Sequence, residues 1–158
     1  IIQSEFVYCT QDVTIDTDAT FTDVPGCSVT ITPTFSNSKI IIETFCLAYL
    51  GNNVTSTSWA SCSMRILRGS TVITAPNPTG SGDYFTAALG GDNYRQMQYG
   101  MLSRDDTPST TSATTYKLQG RVTYGTGNFY VNRIPYTDTT STYVMRAAST
   151  ITLYEVAA

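Results

Sequence analysis

The chain has 158 residues, a formal net charge of −3 and a pI near 4.7, a length that suits one well-buried domain and is short for two. Charged residues make up only 13%, about half the ~25% usual for soluble domains, and 28 Thr and 15 Ser fill the gap. The absence of His removes Ser-His-Asp triads, Cys-His pairs and the usual zinc sets; the absence of a Lys/Arg cluster argues against an electrostatic hold on nucleic acid; and no apolar run reaches bilayer length.

Period-two alternation dominates, and Thr, stiff at χ1, favours a pleated strand over a helix. Ile1 to Tyr8 reads as the first strand, Thr20 to Val24 as a short extended piece closed by Pro25-Gly26, and Ser28 to Thr32 as the next strand. Lys39 to Leu50 is the strongest strand. It sets Ile40, Ile42, Cys46, Ala48 and Leu50 on one face and Lys39, Ile41, Glu43, Phe45, Leu47 and Tyr49 on the other. Apolar groups on both faces predict that it is covered on both sides, by the core and by a neighbouring subunit. Ala60 to Arg68, the two-residue turn Gly69-Ser70 and Thr71 to Ala75 form a hairpin, followed by loop chemistry from Pro76 to Gly82. Further strands are expected at Asp83 to Leu89, Arg95 to Arg104, Thr114 to Thr123, Asn128 to Arg133 and Ser149 to Val156. Ten strands, no helix and no internal repeat predict one all-β domain over residues 1–158, an antiparallel β-sandwich or jelly roll.

If consecutive strands reverse direction, an even count returns the C-terminus to the N-terminal end and sorts the loops. Thr34 to Ser38, Gly69-Ser70, Gly90 to Tyr94 and Tyr124 to Gly127 fall near the termini; the longer Thr10 to Cys27, Gly51 to Trp59, Pro76 to Gly82, Asp105 to Ala113 and Ile134 to Ala148 fall at the far end. Long loops gathered at one end of a rigid scaffold are where binding usually resides. The far-end candidates are Asn52, Asn53, Trp59, Asn77, Tyr84, Asp105, Asp106, Tyr136, Asp138 and Tyr143. Tyr and Trp among small polar residues suit recognition, sugars included, because they bury area with few torsions to freeze and carry a polar tip; packing along sheet edges or subunit contacts is the competing use.

The four cysteines contain no C-x-x-C pair, which argues against a metal or redox motif, and buried free thiols are the plain expectation. Two pairs are nevertheless bridgeable. Cys46 and Cys62 flank the Gly51 to Trp59 loop on strands expected to be adjacent, and Cys9 and Cys27 bracket the first long loop. The acidic doublets Asp16-Thr17-Asp18 and Asp105-Asp106 lack EF-hand spacing, so no metal is assigned. Twelve acidic residues supply a glycosidase pair only by chance. Asn53-Val54-Thr55 matches the glycosylation acceptor pattern as a Thr-rich chain will, and Gly80-Ser81-Gly82 lacks the Lys of a phosphate loop. No catalytic residue and no cofactor is assigned.

The stretch from Phe21 to Ile42, with Thr22-Asp23, Gly26, Ser28-Val29-Thr30-Ile31-Thr32-Pro33 and Ser38-Lys39-Ile40, resembles a pattern of tailed-bacteriophage virion proteins. The resemblance continues at Leu67 to Ile73, Asp106 to Leu118, Tyr130 to Arg133 and Ala148 to Val156, and so spans most of the chain in order. It departs at Cys27, where an aliphatic residue is usual, and in its extra cysteines. The resemblance implies a projecting virion part, a tail-fibre tip, a head fibre or a decoration, built as a trimeric jelly-roll knob similar in outline to tumour necrosis factor heads and without fixed catalytic residues. The expectation is a homotrimer on the virion surface with Phe45, Leu47 or Tyr49 at the subunit contact, attached through an upstream segment. Its far-end loops would meet a host-surface ligand, a glycan by preference, without nucleic-acid binding or membrane insertion. A sequence that starts in a strand without Met is expected to be processed or to be the C-terminal part of a longer fibre protein.

Overall fold

The computed structural model describes residues 1–11, 13–15, 20–51, 60–73, 85–89, 98–124, 128–133 and 147–158. These residues hold eleven strands: β1 (Gln3–Cys9), β2 (Val13–Ile15), β3 (Thr22–Ile31), β4 (Lys39–Gly51), β5 (Ala60–Arg68), β6 (Thr71–Ile73), β7 (Phe85–Leu89), β8 (Gln98–Asp106), β9 (Thr114–Tyr124), β10 (Asn128–Val131) and β11 (Ser149–Val156). Every recorded pairing is antiparallel, in a six-stranded sheet (β1-β11-β4-β10-β2, with β8 on β4) and a five-stranded one (β3-β9-β5-β6, with β7 on β5).

The register reduces eleven strands to eight lanes. Along one edge of β4, β11 pairs with Lys39 to Phe45 and β10 with Ala48 to Gly51, while β8 holds the other edge, so β10 and β11 are two pieces of one lane. On their outer side β2 and β1 succeed each other in the same way. In the second sheet β6 pairs with Ile66 to Arg68 and β7 with Ala60 to Met64, again along one edge. Counted in chain order, lane one pairs with eight, two with seven, three with six and four with five. This nested pairing is the jelly roll, two Greek keys folded face to face.

Alternation places the core. β11 buries Ser149, Ile151, Leu153 and Glu155 and leaves the intervening residues half-exposed, while β4 contributes Ile40, Ile42, Thr44 and Cys46. Facing them are Ile31, Met64, Ile66, Tyr116 and Leu118 from the other sheet. Burying each large aliphatic side chain contributes about 1.5–3 kcal/mol.

Two polar clusters close the sandwich at the end that holds both termini. The Glu155 carboxylate accepts from Gln3 Nε2 at 2.6 Å, from the Thr34 N–H at 2.7 Å, from Thr34 Oγ1 at 3.0 Å and from the Phe35 N–H at 3.4 Å. Across the sandwich Arg68 on β5 donates to both Asp106 oxygens on β8, at 2.9 and 2.7 Å, and the Tyr116 hydroxyl on β9 donates to the same carboxylate at 2.7 Å. Burial and that hydrogen bond push the Tyr116 phenol well above its ordinary range.

Several expectations change. Thr20 to Val24 and Ser28 to Thr32 are not two strands: β3 runs through Pro25-Gly26, because Gly26 takes φ +72° and absorbs the register shift between Asp23 and Ser28 as a bulge. β2, inside the expected first long loop, was not anticipated. Cys46 and Cys62 are not on neighbouring strands, since β4 and β5 lie in opposite sheets, and Cys46 is a buried thiol rather than half of a bridge; the Cys62 side chain lies outside the described residues. The bridge present joins Cys9 to Cys27 across the two sheets, with a Cα–Cα distance of 4.8 Å. The termini do lie at one end, where β1 and β11 pair from Gln3↔Glu155 to Cys9↔Ser149. The loop sorting fails in the second half of the chain, because β6 and β7 run in the same direction. Asp105 and Asp106 therefore pair with Ile41 and Ile40 at the terminal end rather than the far end, and the strand ends flanking 90–97 and 125–127 lie away from the termini.

Candidate functional site

The outer faces of the two sheets differ. On the five-stranded sheet Asp23 accepts from Lys117 Nζ at 2.8 Å and Gln119 Nε2 at 2.6 Å, and these two bonds hold its carboxyl below the usual range. Gln119 in turn accepts from Arg65 Nε at 2.8 Å. The guanidiniums of Arg65 and Arg121 lie over the Phe21 ring at 4.0 and 4.5 Å from its centroid, and the Thr30 and Thr115 hydroxyls meet at 2.7 Å. Polar groups that pair with one another in this way suit a surface facing water.

The outer face of the six-stranded sheet carries large apolar side chains in the open, set among hydroxyls. Cross-strand register lays out one row as Tyr8, Thr150, Phe45 and Met101, the next as Phe6, Thr152, Glu43 and Ser103, and a third as Ser4, Tyr154, Ile41 and Asp105. Phe6 and Tyr8 on β1 are each 61% exposed, and Met101 on β8 is 65% exposed. The Phe6 and Tyr8 rings meet edge to face with centroids 5.5 Å apart. Phe45 and Ile41 are half-buried between them; among the described residues the charges on this face are the exposed Glu43 in the middle row and, at the rim, the exposed Lys39–Asp105 pair at 3.0 Å, whose bond lowers the Asp105 carboxyl. A cluster of exposed large apolar side chains of this kind signals an interaction surface.

Phe45 thus lies on the predicted contact face, whereas the side chains of Leu47 and Tyr49 lie outside the described residues. Phe6, Tyr8 and Met101 were not among the candidates. The alternation of β1 carries a signal for the first two, but their alignment with Phe45 and Met101 depends on pairings between strands far apart in sequence, Tyr8↔Thr150, Thr150↔Phe45 and Phe45↔Met101.

Of the far-end loop candidates, Asn52, Asn53, Trp59, Asn77, Tyr84, Tyr136, Asp138 and Tyr143 lie outside the described residues. Asp105 and Asp106 are at the terminal end, engaged with Lys39 and with Arg68 and Tyr116. Among the described residues no three His, Cys, Asp or Glu side chains converge as metal ligands.

One further cluster went unread in the sequence. Asn132, fully buried with φ +64°, follows β10 where its lane breaks. Its Nδ2 donates to the carbonyls of Cys9 and of Gln11, the latter at 3.0 Å; its Oδ1 accepts from Ser149 N at 2.9 Å and Ser149 Oγ at 2.6 Å; and its carbonyl accepts from Ala147 N at 3.1 Å. One side chain therefore joins the breaks in lanes one and eight. Asn tolerates the left-handed region better than most residues.

No protein-family model matches this chain, and no curated protein matches it. Among solved structures it aligns with VP2 of infectious bursal disease virus in derived T=1 particles, at 8% identity over 97% of this chain and 36% of that one, TM-score 0.41. It also aligns with the VP2 subviral particle, at 11% identity over 98% and 38%, TM-score 0.39. The chain thus spans little more than a third of the VP2 chains. So loose a superposition adds nothing to the jelly roll read from the strand order, and no function is drawn from it.

Proposed function

We propose that this chain is a non-enzymatic virion domain of the tailed-phage type, a homotrimeric jelly-roll knob that projects from the particle and binds a host-surface ligand, a glycan by preference. The observation that carries the reading is the asymmetry of the two sheet faces. A polar, internally bonded face is what solvent calls for, and the face bearing Phe6, Tyr8, Phe45 and Met101 calls for cover. Threefold closure supplies that cover by repeating one surface around an axis, and it extends the expected contact at Phe45, Leu47 and Tyr49 across the whole sheet. The ordered resemblance to phage virion proteins supports the same assignment, as does a surface rich in hydroxyls and poor in charge. With both termini at one end, Asn52, Asn53 and Trp59, between the far ends of β4 and β5, are the first ligand candidates; Asn77, Tyr84, Tyr136, Asp138 and Tyr143 follow. Asp105 and Asp106 leave that set because they are engaged at the terminal end.

The test is saturable binding of fluorescently labelled protein to intact candidate host cells, with Trp59→Ala and Tyr136→Ala expected to weaken it. A folded trimer that binds no cell in a broad panel but binds capsids would replace the adhesin by a head-fibre or decoration role, the reading that needs only the trimer and its attachment.

A further inference from the structure

We propose that the Cys9–Cys27 bridge is a redox latch for the half of the sandwich away from the termini, holding that half in place while the terminal half stands without it. Three irregularities meet at one level of the fold. β1 ends at Cys9 and its lane resumes only at Val13; β3 bulges between Asp23 and Ser28, the bulge that contains Cys27; and the β10 to β11 lane breaks between Val131 and Ser149. At each of these points the backbone ladder that would tie the two halves together is interrupted. Beside the unbroken β4, what spans the gap in these lanes is the bridge, which pins the end of β1 to the bulge, and Asn132, which takes the Cys9 carbonyl with one end of its side chain and Ser149 with the other. The Gln11 side chain packs beside Gly26, 3.5 Å from where a Cβ would stand, so the same contact reaches from the lane-one break to the bulge.

The two halves are unequally supported. The terminal half has the seven-residue pairing of β1 with β11, together with the Glu155 and Arg68–Asp106–Tyr116 clusters, while the pairing of β4 with β8 runs past the breaks into both halves. In the other half β2 has three residues and pairs with β10, which has four. Openings follow such lines of weak support. Both half-cystines are almost fully buried, so reduction must follow local opening. The chemistry is thiol–disulfide exchange: the two thiols lose two electrons and two protons to a small disulfide such as oxidised glutathione, which leaves as two thiol molecules. Cytosol keeps such thiols reduced and extracellular surroundings oxidise them, so the same chain is slack where it is made and held where a projecting domain would act.

Hydrogen exchange tests this without any ligand, so its failure is separable from failure of the virion reading. The whole chain is compared oxidised, reduced, and as Cys9→Ala/Cys27→Ala. The expected result is that amides of β2 and β10, at Val13, Ile15, Phe129 and Val131, lose about tenfold or more protection beyond any loss at Ile40, Ile42, Ile151 and Leu153. Equal loss in both sets, no loss in either, or a double variant that does not fold would make the bridge a general staple or an idle one and overturn the proposal.

Discussion

Glu155 stands where the alternation of β11 calls for an aliphatic side chain after Ile151 and Leu153, and it is as buried as they are. Burial opposes its ionisation, but the Ser38 hydroxyl, close by though outside ordinary hydrogen-bond geometry, the Gln3 amide, and the N–H and hydroxyl of Thr34 outweigh that and hold the carboxyl at about 2. A carboxyl depressed on folding stabilises above its unfolded pKa, and that contribution disappears as pH falls through the folded value. The protein should therefore lose chemical-denaturation stability between about pH 4.5 and pH 2. Glu155→Gln should be less stable at neutral pH and should lack this component of the pH dependence; an unchanged acid slope would show that the carboxylate is not its source. At the lane breaks, Asn132→Ala leaves the Cys9 and Gln11 carbonyls and both Ser149 donors without their partner. Denaturation midpoints should fall by an amount equivalent to about 2–4 kcal/mol, the cost of several buried polar groups left unsatisfied. Neither residue announces itself in the sequence. A lone Glu in a strand and a lone Asn after one are ordinary, and their partners lie far away in sequence or across a lane break.

At the scale of elements, local chemistry tells much and pairing tells the rest. Ala60 to Arg68 and Ser149 to Val156 are legible to the residue because alternation and turn residues bound them. β2 is not, since three residues have no period and its partner is β10. β6 and β7 look like two strands that reverse between them, when they are two pieces of one lane; that single misreading carried Asp105 and Asp106 to the wrong end. Pro25-Gly26 reads as a terminator but is a bulge, because a glycine at φ +72° lets the chain shift register and continue. Gly26→Ala would place a Cβ in the left-handed region, at ordinary contact distance from Gln11, and the backbone strain should cost about 1–2 kcal/mol in thermal or chemical unfolding. A neutral substitution would mean that the bulge has another accessible geometry. The site was half legible. The two-faced character of β4 pointed to an outer contact at Phe45, while the contributions of β1 and β8 to the same face follow from register alone.

For the whole molecule, eight lanes explain why both termini share one end. The outer face of the six-stranded sheet presents Phe6, Tyr8 and Met101 in the open, with Ile41 and Phe45 between them. A charge placed there should leave the fold intact, since those side chains are outside the core, and should break association. Met101→Glu is expected to keep the thermal unfolding profile of an isolated domain and to lower the mass of the assembly.

The most direct measurement is the mass of the protein by light scattering at micromolar concentration, with Met101→Glu beside it. The account predicts three times the 17.2 kDa chain mass for the native sequence and a single chain for the variant. A stable native monomer, its apolar face in water, would contradict it.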